Sequence, residues 1–451
     1  MMADSFTYQQ FHIDGDRQTV YFDYLLTHDD ENYSFTETLR FPLPLLDTPT
    51  QTRSLRALHL ALGVSYYKIF TPSSIVYPYR MAADEASFWN DVWRNGLGEF
   101  LYVNKLSPYT LGKFAEQDGQ AFDGQAAETS QTALLGIGGG KDSIVAGELF
   151  KRLHIPTEGF VMATGEQLGQ ANAVAETMDV PLNIVERSID KRLIEIQELP
   201  GAHKGHIPIS LIFGLVGTAL AIAKGAAYVV VANEASASIP RISWEHGAVN
   251  HQWTKSFAFE QQLQSFVENQ ISTNTTYFSA VRQLTSVGVA KVFARYPAYF
   301  EVFTSDNSVF RIDPAKRPNA RWSLESPKSL SSFILLAPWL SEADLLRAFG
   351  RNFLDESSLC NLFLEMVGVQ GEPPLDCVGT AEELALSLNV AVRQGKFINA
   401  ALTKLAREKF VLEDKDWQPE LRAALALQAE EALPQNLRQP IIDQLSKELS
   451  A

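Results

Sequence analysis

The chain has 451 residues, 46% of them hydrophobic and 20% charged, which is typical of a globular protein with two or three domains. Its formal net charge of −15 argues against nucleic acid as a partner, because binding to a phosphate backbone depends largely on lysine and arginine. The two cysteines, Cys360 and Cys377, exclude a disulfide framework or a cysteine-based metal cage, so we expect a cytoplasmic protein.

The amino-terminal residues 1–125 predict an α+β domain. Apolar and polar residues alternate over residues 6–42 between turns that contain Gly, Asp and Asn, which indicates an antiparallel β unit. Helical apolar spacing follows over residues 55–70 and 83–106. The polar run from Glu116 to Gln131 then indicates a linker or a loop before the next domain.

Residues 126–330 predict an α/β nucleotide domain built on a parallel sheet. We predict its strands at four apolar runs, residues 133–137, 159–163, 182–185 and 228–232. Helical patterns between these runs are typical of a sheet covered on both faces, with ligands at the carboxyl ends of the strands. The uncharged stretch from Ile207 to Ala223 is at the lower limit for a membrane span, so we interpret it as a buried helix and expect no membrane insertion.

The remainder of the chain is predicted to be mainly helical. Residues 256–270 and 277–295 have helical apolar spacing, and residues 331–451 predict a helical C-terminal region. Pro440 is expected to separate two of these helices, because proline lacks the N–H group that continues a helix.

The segment from Thr132 to Phe150, TALLGIGGGKDSIVAGELF, predicts a strand, a tight loop and a helix N-terminus. The loop opens with three residues that let backbone N–H groups approach a ligand closely: Gly138, Gly139 and Gly140. The first turn of the helix presents free donors and partial positive charge, to which Lys141 adds a full charge and Ser143 a hydroxyl. Asp142 is a candidate ligand for Mg²⁺, which prefers oxygen donors. We therefore predict a phosphate site in the segment Gly138–Ser143, called the glycine loop below.

Two common phosphate motifs do not fit the glycine loop. A Walker A loop fails at Leu135 and Asp142, and the dinucleotide fingerprint G-x-G-x-x-G fails at Lys141. The sequence G-G-G-K-D-S resembles instead the pyrophosphate (PP) loop S-G-G-x-D-S of ATP pyrophosphatases, in which Gly138 replaces the first serine. Such enzymes have a HUP-like fold and cleave ATP between the α- and β-phosphates, and the resemblance implies that Ala163 and Thr164 lie near the adenine.

Further segments are similar to the MurL family, the UDP-N-acetylmuramoyl-L-alanyl-L-glutamate epimerases of peptidoglycan synthesis. They are SYYK at residues 65–68, GHIPIS at 205–210, ANEASA at 232–237 and VNHQWTKS at 249–256. The resemblance implies inversion of the terminal L-Glu of UDP-MurNAc-L-Ala-L-Glu, dependent on ATP and Mg²⁺, with release of AMP and diphosphate. Related sequences often carry cysteines at three positions that are serine here: Ser323, Ser326 and Ser329.

Epimerisation needs groups that remove and return a proton at Cα, and three residues near the predicted strand ends are candidates: His206, Glu234 and His251. Each has an alternative structural role, as a buried histidine or a helix cap. Weaker candidates are His246, Asp190, Lys255 and Arg241, and Trp244 and Trp253 are candidates for stacking on uridine. The two cysteines are expected to lie far from the site, because they fall in the predicted helical region.

Two other functions remain open at this point. The glycine loop is also consistent with an ATP pyrophosphatase that modifies tRNA or a nucleobase, although the acidic charge and the absence of paired cysteines count against it. It is equally consistent with a protein that binds ATP without turnover. The number of subunits is left open by the sequence.

Overall fold

The structure, a computed structural model, describes residues 4–117, 129–164, 168–310, 320–409, 411–412 and 416–450. The strands within these ranges are β1 (Ser5–Ile13), β2 (Thr19–His28), β3 (Glu31–Arg40), β4 (Ser74–Val76), β5 (Ser130–Gly136), β6 (Thr157–Ala163), β7 (Leu182–Ser188), β8 (Ala226–Val231), β9 (Ile242–Trp244), β10 (Gly247–Val249) and β11 (Thr276–Ser279). The helices are α1 (Pro49–Tyr67), α2 (Ala83–Gly96), α3 (Gly98–Asn104), α4 (Lys141–Arg152), α5 (Gly169–Met178), α6 (Arg192–Ile196), α7 (Ile209–Lys224), α8 (Phe257–Phe266), α9 (Ser286–Phe293), α10 (Pro327–Leu336), α11 (Glu342–Phe349), α12 (Cys360–Met366), α13 (Ala381–Arg393), α14 (Ala401–Glu408), α15 (Gln418–Ala424) and α16 (Gln435–Ser450).

One nine-stranded sheet, in the order β11-β8-β5-β6-β7-β3-β2-β1-β4, organises the molecule. The strands from β11 to β7 are parallel to their neighbours, whereas β7–β3, β3–β2 and β2–β1 are antiparallel pairs. The prediction of an α/β fold around a parallel sheet is therefore confirmed. Its assignment to the PP-loop, HUP-like class stays a prediction.

The amino-terminal β unit is continuous with the parallel sheet. β3 pairs with β7, so that Thr38 lies opposite Ser188, and at this junction Arg187 donates to Glu37 at 2.6 Å with both side chains buried. The predicted domain boundaries after residues 125 and 330 stay predictions. The first falls in the run 116–131, most of which lies outside the described residues.

Two predicted helices differ from the structure. The helix predicted over residues 277–295 is wrong in its first part, because Thr276–Ser279 forms the parallel edge strand β11 and α9 begins only at Ser286. Thr285 caps α9 by accepting a hydrogen bond from the Gly288 N–H. The predicted break at Pro440 is also wrong, since α16 runs through this residue. Pro440 removes one backbone N–H donor from α16, and the helix continues through it despite the loss of that single hydrogen bond.

The sheet separates two hydrophobic cores. On one face α1 and α7 pack together against the strands, and most of the apolar side chains of α7 are buried there. On the other face α4 and α9 pack with the C-terminal helices α10, α13 and α16. The interpretation of residues 207–223 as a buried helix is confirmed, and none of the described helices combines the length and apolar composition that crossing a membrane requires.

Candidate active site

The glycine loop connects the end of β5 to the first turn of α4. Gly139 has a φ of +88°, a left-handed conformation that favours glycine, and a Cβ there would lie 3.3 Å from Cβ of Gln170. A Cβ on Gly140 would lie 2.9 Å from Oγ of Ser305, whereas a Cβ on Gly138 would have no neighbour within 4 Å. The left-handed φ favours glycine at position 139, and a side chain at position 140 would displace the Ser305 hydroxyl, while position 138 leaves room for a side chain.

A cavity of about 420 Å³ opens at the carboxyl ends of β5, β6 and β8. The predicted residues that line it are Gly138, Gly140, Lys141, Asp142, Ser143, Ala163 and Glu234. Gly139, Thr164, His206 and His251 are not among its lining residues. The remaining wall includes Lys255, Ser305, Lys328 and Cys377. All four come later in the sequence than the last of the four predicted strands.

The loop carries a cation and a hydroxyl that suit a phosphate. Lys141 is buried and its Nζ lies 2.7 Å from Oδ1 of Asp142. Burial alone would lower the pKa of Lys141, but the carboxylates of Asp142 and Glu234 outweigh burial and raise it, so the ammonium is charged. Oγ of Ser305 is buried against the loop without a hydrogen-bond partner among the described residues. A phosphate oxygen would satisfy this hydroxyl.

Two of the three serines, Ser323 and Ser329, hydrogen-bond to the segment behind the loop. Asp306 is buried, and its carboxylate accepts hydrogen bonds from the Ser323 N–H at 2.7 Å and from Oγ of Ser329 at 3.1 Å. Oγ of Ser326 is buried without a partner among the described residues. Just before Asp306, the Thr304 N–H donates to the Gly139 carbonyl at 3.0 Å, so this segment buttresses the glycine loop.

A second group of polar side chains surrounds Cys377 and is called the thiol cluster below. Nζ of Lys255 lies 3.3 Å from Sγ of Cys377, and Nε2 of His251 lies 3.6 Å from the same sulfur. Glu99, at the start of α3, accepts from Nδ1 of His251 at 3.2 Å and lies 3.6 Å from Nδ1 of His206. The thiol cluster thus comprises Cys377, Lys255, His251, Glu99 and His206.

Charges in the thiol cluster are strongly coupled. Burial alone would raise the pKa of Cys377, but Lys255, Lys328 and His251 outweigh burial and lower it to about 6. Burial alone would lower the pKa of His251, but its bonds to Cys377 and Glu99 raise it to about 9. Burial lowers the pKa of His206 to about 4, and the neighbouring cations reinforce this effect. At neutral pH the cluster therefore holds a thiolate, a protonated His251 and a neutral His206.

The expectation that both cysteines lie far from the site is wrong for Cys377. This residue lines the same cavity as the glycine loop, because the chain between α12 and α13 returns to the carboxyl ends of the strands. The segment is marked as a loop within the predicted helical region by Gly368, Gly371, Pro373, Pro374 and Gly379. Glu99 was likewise missed as a site residue.

A buried ion pair holds the loop of residues 232–256 between β8 and α8, which is called the site loop below. Arg282 donates through Nε and a terminal nitrogen to Glu260, at 2.8 and 2.6 Å, and both side chains are almost fully buried. Its terminal nitrogens also donate to the backbone carbonyls of Glu234 and Lys255, each at 2.8 Å. Arg282 therefore fixes two cavity residues that are distant in sequence.

The weaker candidate site residues are spread over different parts of the structure. Asp190 is paired with Arg192 at 2.7 Å and does not line the cavity, and Arg241 donates to the Gly379 carbonyl near Cys377. A second cavity of about 380 Å³ lies beside the β9–β10 hairpin. Its lining includes Arg94, Trp244, His246 and Trp253.

Comparisons with known proteins identify the family of this chain. A family model described as the MurL N-terminal domain matches residues 1–280, and one described as the MurL C-terminal domain matches residues 302–421. A UDP-N-acetyl-alpha-D-muramoyl-L-alanyl-L-glutamate epimerase of Salinispora tropica is 32% identical over 410 residues, which cover 88% of this chain and 87% of that protein. Proteins of the same name from a Micromonospora species and from Xanthomonas oryzae are 31% and 32% identical, over 89% and 82% of this chain and 90% and 79% of their own lengths. The chain therefore belongs to the MurL family.

Proposed function

We propose that the protein inverts the terminal L-Glu of UDP-MurNAc-L-Ala-L-Glu to D-Glu in peptidoglycan precursor synthesis, with ATP as a co-substrate. The names of the relatives supply the substrate and the reaction. The single observation that carries the ATP-dependent mechanism is that one cavity joins the glycine loop to the thiol cluster. The glycine loop, Lys255 and Cys377 of the thiol cluster, and Glu234 therefore face the same space.

The chemistry explains why an epimerase would consume ATP. Removing the Cα proton beside an ionised carboxylate would place a second negative charge next to the first. Converting the α-carboxylate to an acyl-adenylate removes this charge and makes the Cα–H bond more acidic. The products of the complete reaction are then the D-Glu diastereomer, AMP and diphosphate.

The residues of the glycine loop fit the departing diphosphate. Lys141, the backbone N–H groups at the start of α4 and the unpaired hydroxyl of Ser305 provide one positive charge and several donors. Asp142 would hold Mg²⁺, which neutralises phosphate charge when it is bound. Ala163 lines the cavity at the end of β6, on the side where we place the adenine with Thr164.

The three residues predicted for proton transfer, Glu234, His206 and His251, differ in their access to the cavity. Glu234 lines the cavity at the carboxyl end of β8, whereas His206 and His251 lie beside it and are joined through Glu99. The second cavity, with Trp244 and Trp253, offers aromatic faces for the uridine of the substrate.

The proposed function is tested by incubating the protein with ATP, Mg²⁺ and UDP-MurNAc-L-Ala-L-Glu. We expect AMP, diphosphate and the D-Glu diastereomer to appear together, measured by anion-exchange chromatography and by chiral analysis after acid hydrolysis. Release of AMP only when tRNA is added would indicate a tRNA-modifying enzyme. Binding of ATP without any AMP would indicate a protein that does not turn it over, and inversion without AMP would refute the acyl-adenylate.

A further inference from the structure

We propose that the Cys377 thiolate is one of the two groups that exchange a proton with Cα of the substrate glutamate, and that Glu99 and His251 position it. This inference rests on the proposed epimerisation and adds a catalytic residue to it. It is carried by the geometry of the thiol cluster at the wall of the cavity.

The sulfur is placed to meet a ligand of the glycine loop. Cys377 is partly exposed and lines the cavity, and its backbone N–H donates to Oδ1 of Asp376 at 2.8 Å, which fixes the turn that carries it. Lys255 and His251 approach Sγ from the 3-10 turn before α8 and the residues just ahead of it. The second cysteine, Cys360, has no such surroundings, because it starts α12 and packs on the C-terminal core.

The charges around Cys377 favour its ionised form. The cations are Lys255, His251, Lys328 on α10 and Arg241 after the β8 loop, and Asp376 is the neighbouring anion on its own segment. Glu99 lies behind His251 and does not meet the sulfur. Glu234 and Asp142 also act on Lys255 in the same cavity, but the cations around the sulfur stabilise the thiolate, so it is available as a base near neutral pH.

The proposed step balances as follows. The Cα–H bond of the acyl-adenylate breaks, its proton moves to Sγ, and its electron pair moves toward the acyl oxygen. A second group then delivers a proton to the opposite face of Cα, and the electron pair returns to form the new C–H bond. Glu234, which lines the same cavity, is our candidate for this second group; it would enter the step as the carboxylic acid, and exchange with solvent would then remove the proton from Sγ and return one to Glu234. Hydrolysis of the inverted acyl-adenylate by water releases AMP.

The test compares Cys377→Ala with Cys360→Ala as the matched control. With ATP and the L-Glu substrate, we expect Cys377→Ala to keep AMP release but to lose inversion at least ~100-fold, the usual contribution of a positioned base. The control should retain both activities. Inversion by Cys377→Ala within about threefold of the parent rate would overturn the proposal, whereas absence of AMP from the parent protein would instead refute the proposed function.

A second measurement uses the unaltered protein, so it does not depend on the variant folding. Iodoacetamide at pH 7 is expected to alkylate Cys377 much faster than Cys360, read by peptide mass spectrometry, and the UDP-linked substrate should protect Cys377. The rate of inversion should fall as the pH drops below about 6, where the thiolate is protonated. Equal reactivity of the two cysteines, or a stable thioester between Cys377 and the substrate, would overturn the assignment as a base.

Discussion

Removing the buried arginine that holds the site loop is the sharpest test of how the cavity is built. In Arg282→Met, the carboxylate of Glu260 would remain buried without its cation, and the carbonyls of Glu234 and Lys255 would lose their donor. Breaking one side of a buried ion pair costs roughly 3–5 kcal/mol of unfolding free energy. The same change would release two cavity residues, so we expect slower alkylation of Cys377 and reduced epimerisation.

The assay is urea unfolding, monitored by tryptophan fluorescence. The single variant, the double variant and the control variant are measured side by side with the parent protein. Arg282→Met with Glu260→Gln should recover at least ~1 kcal/mol relative to the single variant, because the uncompensated charge is gone. Arg351→Met removes an accessible ion pair to Glu356 and should cost under ~1 kcal/mol. A loss below ~1 kcal/mol in Arg282→Met, or a double variant no more stable than the single one, would refute the reasoning.

Three further predictions concern the cavity itself. Asp142→Asn should abolish AMP formation while the protein still folds, with a lower thermal unfolding midpoint because the buried Lys141 loses its carboxylate partner; normal turnover would remove Asp142 from the metal role. Gly139→Ala should lose ~1–2 kcal/mol of stability through its left-handed φ, while Gly138→Ala matches the parent in thermal unfolding, and equal midpoints for the two would contradict the loop geometry. Lys255→Met removes a cation from the thiolate, so the pKa of Cys377 should rise and its alkylation at pH 7 slow at least about tenfold; an unchanged rate would exclude Lys255 as the cause.

The elements that the sequence predicted well are those with a local physical signature. Buried parallel strands appear as short apolar runs, and α7, observed at Ile209–Lys224, was predicted to within two residues at each end because it falls in the uncharged stretch from Ile207 to Ala223. The edge strand β11 was missed because its four residues lead directly into apolar residues with helical spacing. Only its pairing with β8, a long-range contact, distinguishes it from the start of a helix.

In the candidate site, too, the part with a local sequence signature was predicted and the part assembled by the fold was not. The glycine loop was identifiable because its function depends on consecutive residues at a helix N-terminus. The thiol cluster was not, since Cys377 and Glu99 lie 126 and 152 residues from His251 in the chain. The unusual acidity of Cys377 comes from charges that the fold brings together, and no local pattern encodes it.

The glycine loop and Cys377 line one cavity although they lie far apart in the chain, and Glu99, from a still earlier part, lies behind His251. During synthesis on the ribosome, the segment proposed to grip ATP therefore emerges well before the sulfur that would act on the glutamate. A nascent or truncated chain that ends before Cys377 would contain the glycine loop but lack the sulfur proposed for inversion. The coupling of the two is a property of the finished protein alone.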